Sequence, residues 1–232
     1  MKLTDKQYFV LKRLHSLTGV VPISLFLLEH FFTNSRAVQS GAAFDQAAAD
    51  LASLPYVTLV EALGIWIPIL FHMVVGILIA TTAQANVGKH GYTRNWQYTL
   101  QRASGIVLVF YILFHTWETR FNPAYLNSAS AYQYMAKELA EPGMFLFYLV
   151  GIVSACWHLG NGLFGFAIHW GLATGRHAQR AASQFGMAVF VVLTLVGVNA
   201  LLGFTGHGFY PDWLTKPHAK SHSAVVYNGG QH

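Results

Sequence analysis

The stretch "YILFHTWETR", residues 111–120, decides the fold. An apolar run ends at Arg120, and His115 lies inside it, three residues before its first charge, Glu118. Three other long apolar runs also hold one deep histidine each: His30, His72 and His158. These runs are ~17 to 28 residues long, enough to cross ~30 Å of hydrocarbon at a rise of 1.5 Å per residue. Of 232 residues, 54% are hydrophobic and 10% charged, where a soluble domain carries about 25% charged residues. The chain therefore reads as an all-α polytopic membrane protein in contact with the lipid bilayer. Its aromatic content of 15% fits Trp and Tyr gathering at both interfaces.

Five spans are expected, at about 17–33, 57–83, 103–117, 143–171 and 183–205. Residues 1–205 form one membrane unit and 206–232 a tail. Between the spans lie Asn34, Pro55, "NVGKHGYTRN", Pro123, "EPG" and "TGRHAQR", all chain-breaking compositions. The third span is short in apolar content and is extended inward by "NWQYTLQR". The apolar run of the first span is followed by no small-residue cleavage site, so it reads as retained rather than as a signal peptide.

The net charge of +5 implies no nucleic-acid partner, because the basic residues lie in the loops that set topology. Lys2, Lys6, Lys12, Arg13, Lys89, Arg94, Arg102, Arg176 and Arg180 fall on one side. Arg36, Arg120, Lys137, Lys216 and Lys220 fall on the other, diluted by six acidic residues including Glu118 and Glu141. The positive-inside rule then puts the N-terminus in the cytoplasm and the C-terminus outside. The single cysteine, Cys156, excludes a disulfide framework and a cysteine-held cluster.

With that orientation the four histidines fall at two depths. His30 and His115 lie about 6 Å and 5 Å from the outer boundary, and His72 and His158 about 25 Å and 24 Å from it. Each pair joins different helices at matching depth. Facing helices that each offer an imidazole supply both axial positions of a low-spin haem iron. The expected architecture is thus a four-helix core holding two stacked haems b, ligated by His30 with His115 and by His72 with His158. "HMVVG" at 72–76 and "HLGNG" at 158–162 both read H-x-x-x-G. Gly76 and Gly162 share a helix face with those ligands. They either clear space for a macrocycle or allow close helix packing in lipid.

Four segments, "RLHSLTGVVPISLFLLEH", "FHMVVG", "YTRNWQYTLQRASGIVLVFYILFHTWETR" and "WHLGNGLFGFAIHWG", resemble the cytochrome b membrane anchor of succinate:quinone oxidoreductases. The likeness is to the single-chain, five-helix, dihaem type and runs from about residue 8 to 205. It implies axial ligands at His30, His72, His115 and His158, with the same pairing. It implies a flavoprotein subunit carrying FAD, an iron–sulfur subunit and a quinone, menaquinone in this type, with an oligomer of the whole complex as a further expectation. The place would be the bacterial cytoplasmic membrane and the pathway the tricarboxylic acid cycle. The chain has no nucleotide fingerprint, so the succinate chemistry would lie on the partners.

The resemblance also implies polar partners for haem propionates at the cytoplasmic start of the first span, where Arg13, His15 and Ser16 stand. The alternative for these is interfacial anchoring and helix capping. His169 follows His158 by eleven residues, on nearly the same face about 16 Å nearer the cytoplasm, and is a further propionate candidate. Glu29 and Glu61 are the acidic residues inside spans, either passing protons to a quinone or pairing with a polar neighbour. Dihaem fumarate reductases carry a glutamate two residues before the fourth ligand. Here Cys156 stands there, which favours succinate oxidation. Two other readings compete: a cytochrome b subunit of a hydrogenase or formate dehydrogenase, and a histidine-lined transporter.

Overall fold

The computed structural model describes residues 4–82 and 87–209. Most of the expected tail, 206–232, lies outside the described residues. Among the described residues the chain is helical throughout, with no strand. Its elements are α1 (Asp5–Val38), α2 (Gly41–Ala52), α3 (Val57–Thr81), α4 (Thr93–Thr116), α5 (Pro123–Leu126), α6 (Ala131–Leu139), α7 (Pro142–His169) and α8 (Arg176–Phe204).

Helix α1 starts with a capping box. Gln7 N–H donates to Thr4 Oγ1, and Thr4 N–H donates to Gln7 Oε1. Pro22 cannot donate to the turn before it and crowds the carbonyl four residues back. The helix accommodates it by widening into a π-turn over Gly19–Ile23. A second π-turn, Ala62–Trp66, precedes Pro68 in α3. A third, Trp117–Phe121, extends α4 to the Asn122–Pro123 break. Such turns add a residue to a helix and rotate the side chains beyond it to a new face.

Four helices, α1, α3, α7 and α8, are long and apolar enough to cross a membrane. The third expected span lies within α4, whose first ten residues, "TRNWQYTLQR", dilute its apolarity. Beyond them Ile106, Phe110, Leu113 and Trp117 are exposed at helical spacing, an apolar stripe. Leu63, Ile67, Leu70 and Val74 make the same stripe on α3. Three helices are longer than the expected spans at their first ends: α1 starts at Asp5, α4 at Thr93 and α8 at Arg176, against 17, 103 and 183.

Helix α8 packs chiefly on α7, α4 packs on α7, and α1 bridges α3 and α7. One end of the bundle is closed by α2, α5 and α6, which the sequence reading treated as loops. Their buried core joins Ala37, Phe44, Met135 and Leu139 to Tyr148 and Phe204. Asp45 ties α2 to α6, accepting from Ser130 Oγ (2.6 Å) and Tyr132 N–H (2.9 Å). Glu118, one of the acidic residues counted on the outer side, is buried there and accepts from Tyr134 OH and Asn122 Nδ2. Burial and this carboxylate push the Tyr134 phenol up from its ordinary range.

Candidate cofactor site

Helices α1, α3, α4 and α7, with residues of α2, α6 and α8 at one end, line one cavity of about 1510 Å³, larger than the roughly 300–1,000 Å³ of an ordinary small-molecule site. All four deep histidines line it. The rings of His30 and His115 lie 5.5 Å apart between centres, at 78°. Those of His72 and His158 lie 6.1 Å apart, at 80°. The structure therefore brings the histidines together in the pairs that matching depth suggested.

A nitrogen ligand stands about 2 Å from its metal, and the imidazole centre about 1 Å further back, so rings sharing one iron have centres about 6 Å apart. Both pairs fit that spacing. Two imidazoles meet at one tier; at the other a third, His15, stacks on His72, and the paired imidazoles of each tier suit haem iron.

The Nδ1 partners of three ligand candidates are visible. His72 Nδ1 donates to His15 O (2.9 Å), and His158 Nδ1 donates to Gln101 O (3.1 Å). A carbonyl can only accept, so each bond fixes the tautomer and leaves Nε2 as the lone-pair nitrogen. His115 Nδ1 lies 3.3 Å from the buried Tyr148 hydroxyl, and the Tyr111 ring runs nearly parallel to it, 5.5 Å between centres. Tyr148 and Gln101 were not singled out from sequence, since each is an ordinary polar or aromatic residue within an apolar helix.

The remaining candidates take these places. His15 lines the cavity and stacks on His72, ring centres 3.8 Å apart. Its Nδ1 donates to His72 O (3.1 Å). Ser16 lines the cavity, donating to Arg13 O and accepting from Trp170 Nε1. Arg13 does not line it; its guanidinium lies over the Trp170 ring at 4.6 Å. His169 lines it at the end of α7, and Lys12 and Arg102, which the sequence reading used only for topology, line it too. Gly76 and Gly162 line it, but the space above Gly76 faces the His15 ring and that above Gly162 faces the Gln101 amide.

Glu29 lines the cavity and accepts from Thr33 Oγ1 (2.6 Å). Glu61 also lines it and pairs with Arg120 at 2.9 Å. Cys156 is fully enclosed, in a cluster with Phe31 and Leu193, and does not line the cavity.

Residues 83–197 match the family model described as the succinate dehydrogenase/fumarate reductase transmembrane subunit. Over 202 residues the chain is 37% identical to the succinate dehydrogenase cytochrome b558 subunit of Bacillus subtilis (strain 168), covering 87% of this chain and 100% of that protein. No solved structure matches the chain. By that identity and coverage the chain belongs to the succinate dehydrogenase/fumarate reductase transmembrane-subunit family.

Proposed function

We propose that the chain is the dihaem cytochrome b anchor of a succinate:menaquinone oxidoreductase. The observation that carries this reading is the pairing of four imidazoles from four helices, at 5.5 Å and 6.1 Å, along one cavity. His30 and His115 hold the outer haem iron, and His72 and His158 hold the inner one. Two irons so held supply one-electron carriers at two levels of the bilayer.

The chain's own contribution is to fix the ligands and to keep water from them. Nδ1 of His72 and His158 is committed to backbone carbonyls, which keeps Nε2 unprotonated and aimed for a metal. His15, Ser16 and His169, which line the cavity at the end where α1 begins, would meet propionates, since anionic groups at an interface attract such donors; Arg13, outside the lining, would act only through Trp170. Glu29 and Glu61 stand at the level of the outer pair, where a quinone would exchange protons. The apolar stripe Ile106, Phe110, Leu113 and Trp117 supports α4 as a fifth span.

The partners would be a flavoprotein subunit with FAD and an iron–sulfur subunit on the cytoplasmic side, where the N-terminus lies. Family membership favours this reading over a hydrogenase or formate dehydrogenase subunit. A pyridine haemochrome assay on the purified subunit should give two b-type haems per chain. Redox titration of the α-band should lose one component in His72→Leu and a different one in His115→Leu. One haem or none per chain refutes the reading.

A further inference from the structure

The two inner histidines are held by the same device, built twice. On α1, His15 O accepts from His72 Nδ1, and Thr18 Oγ1 both donates to His15 O (2.9 Å) and lies 3.3 Å from His72 Nδ1. Gly19 faces the imidazole: a Cβ there would stand 2.6 Å from His72 Cε1. On α4, Gln101 O accepts from His158 Nδ1, and Ser104 Oγ both donates to Gln101 O (3.1 Å) and lies 3.2 Å from His158 Nδ1. Gly105 faces that imidazole, and a Cβ there would stand 3.1 Å from His158 Cε1.

The reverse contacts repeat as well. The side chain of His15 donates to His72 O (3.1 Å) above Gly76, and that of Gln101 donates to His158 O (3.0 Å) beside Gly162. Every corresponding pair is separated by 86 residues: 101 minus 15, 104 minus 18, 105 minus 19, 158 minus 72, 162 minus 76. His30 and His115 fall one residue short of this register. The π-turn Gly19–Ile23, which lies between socket and ligand on α1 alone, supplies the extra residue. Helices α1 and α3 thus repeat α4 and α7.

We propose that Thr18 with Gly19, and Ser104 with Gly105, are positioning residues in two copies of one imidazole socket. Each carbonyl and hydroxyl pair holds the Nδ1–H, and each glycine leaves room for the Cε1–Nδ1 edge of the ring against the neighbouring helix. The socket thereby sets the orientation and electron donation of the inner ligands, and leaves the outer pair alone. This rests on the reading of His72 and His158 as haem ligands.

The test is redox titration and low-temperature EPR of the assembled complex in membranes. Thr18→Ala and Ser104→Ala should each shift the potential and g-values of the inner component, with the outer component and the haem count unchanged. Thr18→Ser and Ser104→Thr should restore the wild-type values. Gly19→Ala should lose the inner haem more completely than Gly105→Ala, following the closer approach. An inner component that ignores both hydroxyl removals, while His158→Leu still abolishes it, overturns the socket alone. A His158→Leu chain that keeps both components overturns the ligand reading and the socket with it.

Discussion

Helices α7 and α8 cross at Gly160 and Gly186, and the closeness of that crossing gives a test with a calculable size. A Cβ on Gly160 would fall on the Gly186 carbonyl oxygen and stand 2.9 Å from Phe190 Cβ; one on Gly186 would fall on the Gly160 carbonyl oxygen. These are backbone atoms that cannot swing aside. Ordinary contact lies at 3.4–4 Å, so Gly160→Ala or Gly186→Ala must part the helices by about 1 Å. A gap of 0.5–1 Å forfeits roughly a quarter to a half of each dispersion contact. Overpacking of this kind costs about 1–3 kcal/mol. In a chain of this size each kcal/mol lowers the thermal midpoint by about 2–4 °C. The expected fall is therefore between about 2 and 12 °C, read by circular dichroism in detergent. Gly143→Ala, where nothing lies within 4 Å, is the control and should change stability by less than about 1 kcal/mol. Gly160 is turned about 200° from His158 on the same helix, so haem stoichiometry should hold. A Gly160→Ala chain no less stable than Gly143→Ala refutes the reasoning.

Three further outcomes are expected. Tyr148→Phe removes the hydroxyl 3.3 Å from His115 Nδ1, so α-band titration should show the outer component shifted and the inner one unmoved. His15→Gln copies the chemistry found at Gln101, which donates to its ligand's carbonyl at 3.0 Å; pyridine haemochrome should still find two haems per chain, whereas His15→Leu should weaken the inner one. In the folded chain Tyr134 holds its proton to higher pH than in the unfolded chain, because of burial and Glu118. Its contribution to stability is then complete below about pH 10 and lost as pH rises beyond that. Alkaline unfolding of Tyr134→Phe should show a shallower dependence on pH than the wild type.

The membrane helices and the histidine pairs were legible because both signals are local and additive. Apolar runs of span length have few alternatives, and depth along a helix converts directly from residue count. Helix α4 was harder, since its polar first turns lower its average apolarity while its apolar stripe emerges only when exposure is known. The cap helices α2 and α6 were missed because they are short, and "GAAFDQAAADLA" and "AYQYMAKEL" bury a face against partners far away in sequence. Glu118 misled for the same reason: nothing nearby announces that Tyr134 and Asn122 will enclose it. The sockets lay in plain view as "HSLTG" and "QRASG", but a hydroxyl and a glycine mean little until each is seen against an imidazole of another helix.

The two tiers are consequently not equivalent, although each presents two imidazoles to one cavity. At the inner tier both Nδ1 groups donate to amide carbonyls whose own helices are locked to the ligand helices by reciprocal side-chain bonds. At the outer tier His115 meets a tyrosine hydroxyl beneath the Tyr111 ring, and His30 packs near the Phe26 ring at 5.4 Å. A neutral amide oxygen is a stronger acceptor than a phenol oxygen, so the inner imidazoles carry more electron density at Nε2. That ligand difference alone would lower the inner potential relative to the outer. The cations Lys12 and Arg102, which line the cavity around the inner tier, act in the opposite sense. Neutralising Lys12 and Arg102 together should uncover the ligand effect by lowering the inner potential, with the outer component as the internal standard.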